Sequence, residues 1–143
     1  PMIVKRLLDT DGVPMMTYEP QLAGTCIAPR TTEMMTIALR TVVGPEGTAP
    51  KAAVEGYDVA GKTGTAQKVE NGQYVRKYYS SFIGYLPASN PEISILVSMY
   101  DPTQGYYGGS VAGPVFRTVA EQVAQYLSIP PQTTDPKTLA SLQ

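Results

Sequence analysis

The sequence predicts an α+β fold in which an antiparallel sheet of three main strands is packed by a C-terminal helix. Three observations carry that expectation. The runs YSSFIGYL (79–86) and ISILVSMY (93–100) are rich in aromatic and β-branched residues, as strands are. Only the short turn ASNPE joins them, which requires antiparallel pairing, because a parallel pair needs a longer crossover. From about Ala112 the period becomes helical. Val115, Phe116, Val119, Val123, Tyr126 and Leu127 then make one apolar face, with Pro114 where a first-turn proline is tolerated.

The remaining elements follow in order. MIVKRLLDTDGV reads as a strand running into a turn at Asp11-Gly12. Met35, Leu39 and Val42 recur at helical spacing, so a helix is predicted over Thr31–Val43, capped by Thr31 or Thr32 and stopped by Gly44-Pro45. Residues 44–56, rich in glycine, proline and alanine, read as a connection to the first strand of the sheet, placed at 57–68. Asn71-Gly72 is a turn signal, with Arg76 and Lys77 as its solvated rim. Gln104 to Ser110 is a glycine-rich loop before the last helix, which Pro130-Pro131 ends. The body is expected over 1–129 and a flexible tail over 130–143, whose apolar content is too low to pack.

Composition narrows the chemistry. Across 143 residues there are 11 basic and 12 acidic side chains, so nothing advertises a nucleic-acid partner. The chain has no histidine and one cysteine, which excludes a Ser-His-Asp triad or a cysteine-histidine zinc site within it. No metal or cofactor is expected. Cys26 is expected as a small buried apolar residue, and the six methionines, Met34 and Met35 among them, as core filling. The chain begins without methionine in what reads as the middle of a strand, so upstream sequence is expected.

The most informative stretch, GYDVAGKTGTA (56–66), admits two readings. From Gly56 it satisfies G-x-x-x-x-G-K-T, a phosphate loop, and the apolar run closing on Asp101 resembles that loop's magnesium-binding partner. A phosphate loop must follow a buried strand and open a helix. Here Pro50, Lys51 and Glu55 precede it, and Gly64 and Thr65 follow, so both flanks disfavour it. From Lys62 the stretch reads K-T-G, a motif of penicillin-binding proteins and serine β-lactamases. On a strand at the rim of a cleft, free backbone groups can accept an extended peptide. Gly64 gives that peptide access, Thr63 and Thr65 can donate to a carboxylate, and Lys62 adds positive charge.

Four stretches extend the second reading: GTA (47–49), VAGKTGTAQ (59–67), SFIGYLPA (81–88) and YYGGSVAGPVFRTV (106–119). In order and spacing they resemble the C-terminal part of the transpeptidase domain of class B penicillin-binding proteins, the last stretch most like the cell-division members. The resemblance implies the penicillin-binding/serine β-lactamase-like transpeptidase fold and a peptidoglycan D,D-transpeptidase. In such enzymes a serine in S-x-x-K attacks the D-Ala-D-Ala end of a stem peptide, and β-lactams imitate that substrate. By the same resemblance Lys62 supports proton transfer, Thr63 and Thr65 hold the terminal carboxylate, and the Thr65 N–H is one of two oxyanion donors. Tyr106 and Tyr107 would line a substrate-facing lip, with a packed aromatic turn as the alternative.

The chain also departs from the family pattern. None of its serines has lysine three residues on or asparagine two residues on, so the S-x-x-K and S-x-N motifs are absent. The expected partner is therefore the upstream part of the same domain carrying the nucleophile, and the chain alone is expected to be inactive. Cell-wall synthesis or division proteins are further implied partners. The resemblance places the parent at the extracytoplasmic (periplasmic) face of the bacterial cytoplasmic membrane, anchored by an N-terminal segment not present here. A non-catalytic β-lactam receptor or interaction module of the same fold and the nucleotide hydrolase stay open as alternatives.

Overall fold

The computed structural model describes residues 3–132. They fall into two units, one reaching Thr31 and one beginning at Thr32.

The first unit holds two strands where the sequence predicts one. β1 (Arg6–Leu8) pairs antiparallel with β2 (Pro14–Thr17), Arg6 opposite Thr17 and Leu7 opposite Met16. The Asp9 carboxylate accepts the N–H groups of Asp11 at 2.9 Å and Val13 at 2.8 Å, and Gly12 takes φ +78°, so the chain reverses within a few residues. Both strands are exposed along their length. Cys26, expected to be buried, is exposed, because no helix or strand forms around it between β2 and Pro29.

Helix α1 spans Pro29–Thr41 and starts two residues before the predicted Thr31, with proline in its first turn. None of its residues is buried. Met34 and Met35 are 62% and 48% exposed, which corrects their expected place in the core: the described residues put nothing over this stripe. On the other side of the helix the Thr36 hydroxyl meets Tyr85 Oη at 2.9 Å, and Arg40 forms an ion pair with Asp58.

The sheet has the predicted three antiparallel strands, β3 (Ala60–Glu70), β4 (Gln73–Leu86) and β5 (Ile93–Tyr100), in spatial order β3-β4-β5. β4 begins six residues earlier than the expected Tyr79. Asn71 (φ +52°) and Gly72 (φ +77°) form a two-residue hairpin turn, so Glu70 pairs with Gln73 at once. Lys77, expected on a solvated rim, lies inside β4 and reaches Glu70 at 3.4 Å, beside Lys68 at 3.0 Å.

The core lies on one face of this sheet. Phe82 on β4 meets Phe116 edge-on, with centroids 4.8 Å apart and both rings fully buried. Such a pair contributes about 0.5–1.5 kcal/mol beyond its buried area. Gly61 and Gly84, opposite each other across β3 and β4, make the room. A Cβ at Gly61 would lie 2.4 Å from Phe82 Cζ, and one at Gly84 would lie 2.8 Å from Phe116 Cζ. The expected connection at 44–56 also reaches the core: a single turn of 3-10 helix, Pro50–Ala52, brings in Ala49, Ala52 and Val54.

Helix α2 covers this core over Gly108–Tyr126, four residues longer at its start than predicted. Gly108 and Gly109, read as loop, are buried in its first turn, and Pro114 lies inside the helix instead of in that turn. The buried face also differs from the predicted one. Ala112, Gly113, Phe116, Ala120 and Ala124 face inward, while Val115, Val119, Tyr126 and Leu127 remain 37–87% exposed. Small side chains let the helix lie close to the sheet around one large ring, and tertiary contact outweighs the low helix propensity of glycine. Of the expected tail, residues 130–132 hold to the body: Gln132 N–H donates to Gly56 O at 2.9 Å, and Gln132 Oε1 accepts from Asp58 N at 3.3 Å. Residues 133–143 lie outside the described ones. No described helix is long and apolar enough to cross a membrane.

Candidate active site

Lys62, Thr63, Gly64 and Thr65 stand in the first half of β3, opposite Ile83, Phe82, Ser81 and Ser80 of β4. Alternation along the strand puts Thr63 and Thr65 on the side of Phe82 and α2, and Lys62 and Gly64 on the other. Among the described residues β3 pairs on one edge only, so its other edge offers backbone donors and acceptors. Lys62 is exposed and its Nζ donates to Thr63 O at 2.9 Å. A Cβ at Gly64 would lie 2.5 Å from Ser81 Oγ, a hydroxyl that can rotate away.

The start of α2 is built onto this strand. The Gly108 N–H donates to Thr65 Oγ1 at 3.2 Å. A Cβ at Gly108 would lie 2.2 Å from Ser81 O and 2.5 Å from Gly64 O, so only glycine lets the helix end sit there. One residue earlier, the buried Ser80 hydroxyl donates to Tyr106 O, fastening the loop from the β4 side. Thr48, in the GTA stretch, is within 3.2 Å of Thr63, hydroxyl to hydroxyl.

Tyr106 and Tyr107 precede α2 immediately. Tyr106 stacks on Tyr78, centroids 4.5 Å apart at 16°, and on Tyr107 at 4.5 Å and 37°. The Tyr106 hydroxyl donates to Tyr107 Oη at 3.3 Å, which holds its pKa above the ordinary tyrosine value. Tyr107 is 62% exposed. The tyrosines are thus packed as an aromatic turn, one of the two expected alternatives, and Tyr107 lies exposed just before α2.

The structure brings the K-T-G strand and the Tyr106–Gly109 segment together. Residue-by-residue reading missed Thr48 and Ser80 as contributors and read Gly108 and Gly109 as loop, where they open α2. The GTA and YYGG stretches held the signal, since a glycine beside a motif often marks close backbone approach. The phosphate-loop reading requires a helix opening at Lys62-Thr63, and β3 runs through those residues instead.

A family model described as the penicillin binding protein transpeptidase domain matches residues 1–121. The chain belongs to this transpeptidase family. Among curated relatives, the chain is 44% identical over 105 residues to the probable peptidoglycan D,D-transpeptidase PenA of Neisseria gonorrhoeae, covering 72% of the chain and 18% of the relative. It is 42% identical over 95 residues to the peptidoglycan D,D-transpeptidase FtsI of Escherichia coli, covering 65% and 16%. The chain thus spans less than a fifth of the length of these relatives. Among solved structures it resembles the apo transpeptidase domain of Burkholderia pseudomallei penicillin-binding protein 3 (TM-score 0.66, 38% identity, 84% of this chain and 38% of that one). It also resembles the D,D-transpeptidase domain of a peptidoglycan glycosyltransferase from Eggerthella lenta (TM-score 0.71, 28% identity, 86% and 27%). These neighbours share the α+β architecture of the chain.

Proposed function

We propose that this chain is the C-terminal part of a peptidoglycan D,D-transpeptidase of the cell-division type and supplies one wall of its active site. The observation that carries the reading is Lys62-Thr63-Gly64-Thr65 on a strand with one edge unpaired among the described residues, with Thr65 held by Gly108. The free edge of β3 receives the D-Ala-D-Ala end of a stem peptide as an added strand. Thr63 and Thr65 hydroxyls bind its carboxylate, Lys62 supplies charge and supports proton transfer, and the Thr65 N–H is one oxyanion donor. Tyr106 and Tyr107 form a lip at the end of that edge.

The serine that forms the acyl-enzyme belongs to upstream residues of the same domain, since this chain has neither S-x-x-K nor S-x-N. The chain alone forms no acyl-enzyme, and with its upstream part it is acylated by β-lactams. The parent works at the outer face of the cytoplasmic membrane, where its substrate and its cell-wall synthesis and division partners are.

The test is covalent labelling by a fluorescent penicillin, followed by gel and intact mass, of the chain alone, the chain with its upstream segment, and the latter with Lys62→Ala. Label confined to the joined form, and slowed about a hundredfold by Lys62→Ala, is expected. Label on the chain alone would show that the nucleophile lies within it, and no label anywhere would sink the assignment. A joined form that is labelled but cross-links no stem peptides is a receptor of the same fold.

A further inference from the structure

Thr48 lies fifteen positions before Thr63 and outside the K-T-G motif, yet its hydroxyl oxygen is 3.2 Å from that of Thr63. Its backbone is fixed from both sides. A Cβ at Gly47 would lie 2.2 Å from Thr41 O, at the end of α1, and one at Gly109 would lie 2.0 Å from Thr48 O. Ala49 is fully buried and donates its N–H to Val42 O at 2.8 Å. The G-T-A triplet is thus a clamp: glycine admits the α1 end, alanine anchors in the core, and threonine between them is presented to β3.

A hydroxyl has one proton and two acceptor positions. In a pair of hydroxyls one donates and the other keeps its proton free. A carboxylate can only accept, so its arrival next to Thr63 selects the arrangement in which Thr48 donates to Thr63 and Thr63 donates onward. The second threonine is treated alike, because the Gly108 N–H can only donate to Thr65 Oγ1, leaving the Thr65 proton free. Two groups outside the motif, one side chain and one backbone amide, thus leave the protons of both threonine hydroxyls free to be donated.

We infer that Thr48 is a positioning residue that sets Thr63 as a hydrogen-bond donor and so contributes to selecting substrates with a free terminal carboxylate. This rests on the proposed role of β3 and adds the element that tunes it.

The experiment uses the chain joined to its upstream segment, with a fluorescent penicillin and the methyl ester of the same penicillin as probes. Acylation is followed against probe concentration, so that apparent affinity and maximal rate separate. Thr48→Val keeps the side-chain shape and removes the hydroxyl. It is expected to lower the preference for the acid over the ester about fivefold, as loss of one hydrogen bond between uncharged groups would. The loss should fall on apparent affinity, and Thr48→Ser should restore it. In a Thr63→Val background, Thr48→Val should have no further effect on the preference.

A merely structural role for Thr48 would slow acid and ester alike, and that result overturns the inference, as does a Thr48→Ser variant no better than Thr48→Val. If Thr48→Val does not fold, Thr48→Ala, which removes atoms and adds none, carries the same comparison. An unlabelled wild-type joined form would overturn the transpeptidase reading itself. A labelled wild type whose acid-over-ester preference survives Thr48→Val overturns the role of Thr48 alone.

Discussion

Gly108 donates its backbone N–H to the Thr65 hydroxyl across 3.2 Å, so α2 begins on the strand that carries the K-T-G triplet. Helix and strand are consequently one unit at this point, and the helix end cannot shift without moving the residue after the triplet.

Substitution of Gly108 should report that coupling. The Cβ of Gly108→Ala would meet the carbonyl oxygens of Ser81 and Gly64 at 2.2 and 2.5 Å, both backbone atoms of paired strands. A loss of about 1–3 kcal/mol in stability is expected, the range for overpacking a well-filled site. Gly113→Ala, in the same helix, has 3.4 Å or more to its neighbours and should be neutral or stabilising by about 0.5–1 kcal/mol. Thermal melts of the two variants decide the matter, and equal melting temperatures would contradict the packing described.

The tyrosine pair should have a spectroscopic signature at alkaline pH. The bond from Tyr106 to Tyr107 needs the protonated Tyr106 phenol, and the folded pKa is raised above the ordinary value by that bond first and by the neighbouring tyrosine charge next. The contact is therefore complete below about pH 10, the ordinary value, and is lost as pH rises through the raised one. Removing the acceptor with Tyr107→Phe should bring Tyr106 back toward the ordinary value. Ultraviolet titration of tyrosinate should then lose its latest component beyond the one residue removed, and an otherwise unchanged curve would refute the bond.

The far edge of the sheet should govern solubility. Among the described residues β5 pairs only with β4, and its sequence, ISILVSMY, carries no charge. An uncharged, unpaired edge of that kind is a template for strand addition between molecules. Leu96 is 63% exposed, so Leu96→Lys should suppress concentration-dependent light scattering while leaving the melting temperature within about 1 °C. Scattering that persists undiminished would place self-association elsewhere.

Much of this arrangement was legible in the sequence because its signals are local. Asn71-Gly72 marked the hairpin turn, the short ASNPE turn marked antiparallel pairing, and the triplet sat on a strand because its neighbours suit one. The α2 face was misread because the bulky residues Val115, Val119 and Tyr126 signal burial by size, whereas this helix packs by smallness at Ala112, Ala120 and Ala124. Gly108 looked like loop for a related reason: its propensity is local, while the Gly64 and Ser81 carbonyls that favour it lie far away in sequence. The contacts of Thr48 with Thr63 and of Ser80 with Tyr106 join distant positions and leave no periodic trace. For site residues, motif spacing named the strand, and only the fold showed what holds it.

The two-residue turn between β3 and β4 also bears on the order of events as the chain folds. It closes the shortest loop available to an antiparallel pair, so the registration of Lys62 against Ile83 and Thr65 against Ser80 can propagate by zippering from Asn71-Gly72. The clamps from Thr48 and Gly108 close larger loops and depend on α1 and α2 being in place. The strand that carries the triplet can thus pair from its own neighbourhood, whereas the contacts of Thr48 and Gly108 need distant elements.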